Sequence, residues 1–160
     1  MIKPDPAELE RDIAFSLPIQ IRFSDIDGYM HVNNGVYFNY FEHARAVFLF
    51  QVCDWNIMEV GSVVGRIEMD YFRPIHIDDT VKALVKCSRV GNSSFDLEQY
   101  LVGETNSGES YTFAKCKSIL VAVDMKTMKP MHLPDNYRAK LEPTSCKKGL
   151  IPSLCVKFTQ

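Results

Sequence analysis

Apolar residues near the amino end recur at every second position. Leu17-Pro18-Ile19-Gln20-Ile21-Arg22-Phe23 alternates apolar and polar from Ile19 onward and predicts a strand. Ser24 to Asn34 is polar, contains Gly28, and reads as a loop. From Asn34 to Gln51 the period lengthens. Val36, Tyr40, Ala44, Val47 and Phe48 recur at three- and four-residue steps, and Tyr37, Phe41 and Phe50 widen the apolar surface. The spacing predicts a helix apolar over most of its circumference and therefore buried, with Tyr37, Phe38, Tyr40, Phe41, Phe48 and Phe50 mainly in the core. Asn33 or Asn34 supplies its N-cap, because an Asn side-chain oxygen accepts an orphan backbone N–H.

After a turn or short helix over Cys53–Gly61 the period falls to two. Val63–Phe72 predicts a strand that ends at Arg73-Pro74. Thr80–Val90 predicts another, opened by Asp78-Asp79 and closed by Gly91-Asn92. Ser93–Val102 and Tyr111–Val123 predict two more, separated by a polar turn over 103–109. Asp124–Lys129 reads as a turn, and Leu133–Leu141 as a short helix starting after Pro134. The acidic, proline-broken residues 1–15 read as a loose lead-in, 16–142 as one domain, and 143–160 as a mobile tail. One strand, one long helix and then four strands in series predict an α+β domain with an antiparallel sheet. A single helix cannot cover both faces and both edges of five strands, so a homodimer or tetramer with sheets joined edge to edge is expected.

Composition narrows the function classes. The chain has 160 residues and a formal net charge of -2, which gives no basic field for nucleic acid. No stretch is long and apolar enough to span a bilayer and no apolar signal core opens the chain, so a cytoplasmic protein is expected. Cys53, Cys87, Cys116, Cys146 and Cys155 are odd in number and show no C-x-x-C spacing, which favours free thiols over disulfides or a metal site. His43, His76 and His132 have no ligand-like spacing either, and no metal is expected.

The chemistry concentrates in Arg22-Phe23-Ser24-Asp25-Ile26-Asp27-Gly28-Tyr29-Met30-His31-Val32-Asn33-Asn34, followed by Tyr37, Glu42, Ala44 and Arg45. This segment sets two carboxylates, a histidine and two asparagines between a strand end and a helix start. A helix N-terminus presents unsatisfied N–H groups and partial positive charge, which suits a carbonyl oxygen gaining negative charge. A nearby carboxylate can attack the carbonyl or activate water.

The string D-x-D-x-x-x-H-V-N-N-x-x-Y, with E-x-A-R further along the helix, resembles the 4-hydroxybenzoyl-CoA thioesterase-like branch of the hotdog-fold acyl-CoA thioesterases. Arg66-Ile67-Glu68-Met69-Asp70-Tyr71-Phe72-Arg73-Pro74 and Asp78-Asp79-Thr80-Val81 are similar to that family's next strand and turn, so the resemblance spans roughly residues 17–125. It implies a hotdog fold, an antiparallel five-stranded sheet wrapped around one long central helix. It also implies hydrolysis of an acyl-CoA or acyl-carrier-protein thioester, with no cofactor beyond the coenzyme A of the substrate. By position, Asp27 is the catalytic carboxylate and Asn34 carries the N–H that polarises the carbonyl. His31, Asn33 and Tyr37 are substrate contacts, and Ser62, Val63 and Val64 would line the acyl pocket of a partner subunit. Many members have glycine just before the histidine; Met30 stands there in this chain, where a larger side chain narrows the pocket or alters the loop.

Other readings compete. Asp27 alone would read as a turn carboxylate, and Asp25 reads as a structural hydrogen-bond acceptor for the loop. His31 alone would read as a packed histidine. Glu42 is the backup catalyst and also fits an ion pair with Arg45 or Arg22. Lys115 and Lys117 on one strand, and Lys82 and Lys86 on another, read as solvated faces or as contacts for coenzyme A phosphates. Among whole functions, the alternatives are a hotdog enoyl-CoA hydratase or dehydratase, and a non-catalytic acyl-thioester binding scaffold.

Overall fold

The computed structural model describes residues 3–142, so the tail expected at 143–160 lies outside the described residues. The elements run α1 (Pro6–Asp12), β1 (Phe15–Ile19), a 3₁₀ turn (Phe23–Asp25), α2 (Asn34–Gln51), β2 (Val60–Tyr71), β3 (Thr80–Val90), β4 (Ser94–Glu104), β5 (Ser110–Asp124) and α3 (Asp135–Leu141). The five strands form one antiparallel sheet in the order β1-β3-β4-β5-β2. The sheet curls around α2, the expected hotdog arrangement.

The helix buries one stripe: Tyr37, Tyr40, Phe41, Ala44, Arg45, Phe48 and Leu49 face the sheet. Those positions recur at three- and four-residue steps, as a one-sided helix requires. Phe95, Leu97, Leu101, Phe113, Ala114, Cys116 and Leu120 meet them from β4 and β5. A buried polar chain joins the layers, with Gln99 Nε2 donating to the Phe41 carbonyl at 2.7 Å and Ser118 Oγ donating to Gln99 Oε1 at 3.1 Å. The helix is less enclosed than its composition predicts, because Phe38 and Phe50 are exposed. Phe50 sits opposite the buried stripe, whereas Phe38 sits at its margin, on the row of Phe41 and Arg45, and is only partly exposed.

Two corrections apply at the amino end. The lead-in is not loose: Asp5 caps α1 by accepting the Glu8 N–H at 3.1 Å, and Pro6 occupies its first turn. Proline there helps a helix start, since its missing N–H would be unsatisfied anyway. Leu9 and Ile13 then pack on Leu84, Tyr100 and Val102, on the sheet face opposite α2. The first strand also lies earlier than the alternation from Ile19 suggests. It pairs Phe15 through Ile19 with Val85 through Val81, and it stops where β3 begins at Thr80.

The sheet's two edges differ. β1 is five residues long and contains Pro18, which cannot donate to a ladder. β2 is twelve residues long, and Val63 and Val64 are exposed on it. The outer face is charged in alternation. Lys86 and Lys115 pair with Glu98, Arg89 and Lys117 with Asp96, and Lys82 with Glu10 of α1. The strand lysines are thus engaged with carboxylates on the face away from α2. Among the described residues, no helix is long and apolar enough to cross a membrane. Cys87 and Cys116 are free buried thiols, and burial pushes Cys87 up to about 11, so it stays protonated. Cys146 and Cys155 lie outside the described residues.

Candidate active site

The loop from β1 to α2 is held by short-range bonds. Asp25 sits at its floor, 3% exposed. Its Oδ2 accepts from the Tyr40 hydroxyl at 2.7 Å, the Arg22 N–H at 2.9 Å and Arg22 Nε at 3.4 Å. Burial pushes the Asp25 carboxyl up, but these donors and the Arg22 charge outweigh it and hold the group below the usual carboxylate range. The Asp25 carbonyl accepts the Asn33 N–H at 2.8 Å, which ties the floor to the start of α2.

Asp27 lies two residues on and half-buried. Its Oδ1 accepts the Tyr29 N–H at 2.8 Å, an Asx turn. Its N–H donates to the His31 carbonyl at 2.8 Å, and its carbonyl accepts the Met30 N–H at 3.0 Å. Among the described residues, Oδ2 of Asp27 meets no donor. The turn puts Met30 at φ 62, the left-handed region that favours glycine. The Met30 side chain is 67% exposed and does not line the cleft, so it does not narrow it.

The start of α2 is fixed from three sides. The Val32 N–H donates to the Ile75 carbonyl at 2.8 Å, and the Asn33 side chain accepts the Gly35 N–H at 2.9 Å. The Tyr71 hydroxyl donates to the Asn34 carbonyl at 3.1 Å. Val36 N–H turns back to the Asn33 carbonyl at 2.8 Å. Among the described residues, the Asn34 N–H has no acceptor, so the first helical N–H is left open. Tyr37, one turn in, accepts the Ile75 N–H on its hydroxyl at 3.0 Å and packs edge-on to Tyr71. Burial pushes its phenol up to about 12, so it stays neutral.

These groups meet in one cleft of about 460 Å³, lined by Asp27, Tyr29, His31, Val32, Asn34, Tyr37 and Tyr71 through Pro74. Four residues singled out from the sequence therefore come together: Asp27, His31, Asn34 and Tyr37. Asn33 does not join them, because its side chain is spent on the cap. Ser62, Val63 and Val64 lie on the edge strand, outside this cleft. Glu42 is also outside, 3.8 Å from Arg45, in the expected ion pair. The His31 ring meets His76 edge-on at 4.8 Å, and the His76 N–H donates to Asp79 Oδ2 at 2.8 Å. Tyr71 and Arg73 have no role in the sequence reading. Their signal is the aromatic-basic run at a strand end, which chain order alone does not place beside Asp27. Among the described residues, no three His, Cys, Asp or Glu side chains converge as a metal-ion set.

The arrangement lines one concavity with Asp27, whose Oδ2 meets no donor among the described residues, and with Asn34, whose N–H meets no acceptor among them. Such a pair can bind a polarised carbonyl and attack it or direct water at it.

Comparison with known proteins agrees with this chemistry. The model of the thioesterase-like superfamily matches residues 21–141. The long-chain acyl-CoA thioesterase FadM of Escherichia coli strain K12 is 29% identical over 127 residues, which cover 78% of this chain and 94% of FadM. The structure of a Thermus thermophilus thioesterase complexed with coenzyme A and Zn is 33% identical, covering 81% of this chain and 98% of that one at a TM-score of 0.67. A variant 4-hydroxybenzoyl-CoA thioesterase complexed with 4-hydroxybenzoyl-CoA shares the fold, with a TM-score of 0.72 at 14% identity over 80% of this chain and 98% of that one. On the extent of the family match and the shared fold, this chain belongs to the thioesterase-like superfamily.

Proposed function

We propose that the protein hydrolyses an acyl thioester, carried on coenzyme A or on a carrier protein, to a free acid and a thiol. The observation that carries the reading is the one cleft lined by both Asp27 and Asn34, each with a polar group that has no partner among the described residues. The thioester carbonyl oxygen accepts from that N–H, where the helix dipole favours the negative charge that develops. Asp27 then attacks the carbonyl carbon, forming an acyl–aspartyl anhydride that water afterwards hydrolyses to the free acid and Asp27, or it takes a proton from a water that attacks the carbonyl carbon directly. The carbon–sulfur bond breaks and the thiolate leaves to be protonated. His31 and Tyr37 contact the thioester from the same cleft. The names and ligands of the similar proteins support coenzyme A as the carrier.

The cleft is open on one side, and β2 is a long unpaired edge carrying exposed Val63 and Val64. A homodimer joined through β2 brings Ser62, Val63 and Val64 of one subunit towards the acyl chain held by the other. A thiol-release assay over a panel of acyl-CoAs tests the activity. Wild-type protein is expected to release thiol, and Asp27→Asn to stop it while the fold persists. Binding without release, or turnover unchanged in Asp27→Asn, would remove the reading.

A further inference from the structure

The cations divide by partner. On the outer face Lys82, Lys86, Arg89, Lys115 and Lys117 each lie within 4.0 Å of a carboxylate. Arg22, Arg45 and Arg66 do so elsewhere. Among the described cations that have no carboxylate so near, Arg73 alone lines the cleft that holds Asp27.

Arg73 is stacked instead on an aromatic ring, and it shares that ring with a second cation that has no carboxylate beside it among the described residues. Arg73 Cζ lies 3.9 Å from the Tyr111 centroid and Lys3 Nζ 4.1 Å from it. Both are anchored by backbone. The Arg73 N–H donates to the Phe113 carbonyl at 3.2 Å, and Thr112 Oγ1 donates to the carbonyl of Pro4, next to Lys3, at 2.8 Å. Burial, and after it the Arg73 charge, lower the Lys3 ammonium from its ordinary value. Two like charges are thus held at one ring, with Arg73 lining the cleft and no carboxylate within 4.0 Å of either among the described residues. A cation–π contact at an exposed site is worth about 0.5–1 kcal/mol. A charge-assisted bond to phosphate is stronger, so an arriving phosphate can draw both cations from the ring.

We propose that Arg73 and Lys3, presented on Tyr111, form a phosphate-binding subsite for the carrier that delivers the thioester to Asp27. The inference rests on the hydrolase reading and names the part of the substrate that reading leaves open. The shared chemistry is a phosphate ester, found in the diphosphate of coenzyme A and in the phosphodiester of carrier-bound phosphopantetheine. Lys115, Lys117, Lys82 and Lys86 are poorer candidates, because each is neutralised by a carboxylate on the far face of the sheet.

The test titrates the full-length protein with coenzyme A, 4′-phosphopantetheine and pantetheine by calorimetry, then repeats this with Arg73→Gln, Arg73→Lys and Lys3→Met. Arg73→Gln is expected to weaken coenzyme A by about tenfold and Lys3→Met by about threefold, as loss of a charge-assisted bond predicts. The preference for coenzyme A over pantetheine falls with them. Arg73→Lys keeps the charge and most of the affinity, which a variant that had lost its fold would not. If phosphopantetheine loses as much as coenzyme A, the phosphate next to pantetheine is the group held; if only coenzyme A loses, it is a phosphate of the nucleotide part, and 3′-dephospho-coenzyme A then separates the diphosphate from the 3′-phosphate. Equal coenzyme A affinity in wild type and variants, or an equal loss for pantetheine, overturns the proposal. Thiol release is scored separately. Arg73-dependent binding without release of thiol from any acyl-CoA leaves the subsite standing and removes the hydrolase reading, and the opposite pattern does the reverse.

Discussion

Two halves of one loop carry the same side chain to opposite ends. At the floor, Asp25 is buried, with Tyr40 and Arg22 donors on one oxygen and the Arg22 guanidinium 3.2 Å from the other. At the rim, Asp27 lines the cleft, gives one oxygen to an Asx turn and has no donor on the other among the described residues. Two residues of sequence separate a carboxylate whose partners are complete from one whose partners are not. The difference teaches that burial and donor count, rather than residue type, divide structure from chemistry in this segment. A satisfied buried group contributes rigidity. An incompletely satisfied one, beside an open helix N–H, has capacity left for a substrate.

The largest effect that would sharpen this contrast belongs to the rim. Asp27→Asn should lower kcat by about two to four orders of magnitude, the range for losing a positioned proton-transfer group. Its unfolding midpoint in urea should stay within error of wild type. The floor should behave in the opposite sense. Asp25→Asn should cost about 2 kcal/mol of unfolding free energy, because Arg22 and Tyr40 lose a charged acceptor. Urea unfolding measures it, and a change confined to kcat would break the comparison.

Acid should expose the same asymmetry. The folded-state pKa of Asp25 is depressed. Its contribution is therefore complete above the unfolded value, about 3.9, and is lost as pH falls through the lower folded value. Unfolding free energy followed from about pH 5 down to about pH 2 should fall less steeply in Asp25→Asn than in wild type. Identical slopes would refute the assignment. The smallest effect concerns the turn between the halves. Met30→Gly should raise stability by up to about 1 kcal/mol, since glycine accepts a positive φ at no steric cost. Thermal unfolding would read that gain, and a loss would mean that the exposed Met30 side chain makes contacts worth more than the strain.

Much of this is legible before the fold. The bounds of α2 follow from its 3.6-residue period and from Asn33, whose cap is made as expected. β3 is bracketed by Asp78-Asp79 and Gly91-Asn92, and its bounds agree as well. Asp27, His31, Asn34 and Tyr37 meet in one cleft because they lie in one contiguous stretch, where a local motif suffices. Failures have local causes. Pro6 reads as a breaker unless its place directly after an Asp cap is weighed, so α1 is missed. β1 ends where its partner β3 begins, which no property of Gln20 to Phe23 announces. Tyr71 and Arg73 reach the cleft by tertiary packing, a non-local result. Phe38 and Phe50 look like core residues by composition, and their exposure can only be seen once the sheet is placed.

The unequal borders of the sheet have a further consequence. When two copies join through their β2 strands, the ribbon that results is bounded on both sides by β1, which is short and interrupted by Pro18. Recruitment of more copies along the hydrogen-bonding direction then stops at two. A chain with two long, unblocked borders would instead keep adding copies into a filament. In such a pair the proline at one margin would work as a terminator, letting the opposite margin be adhesive without the risk of runaway polymerisation.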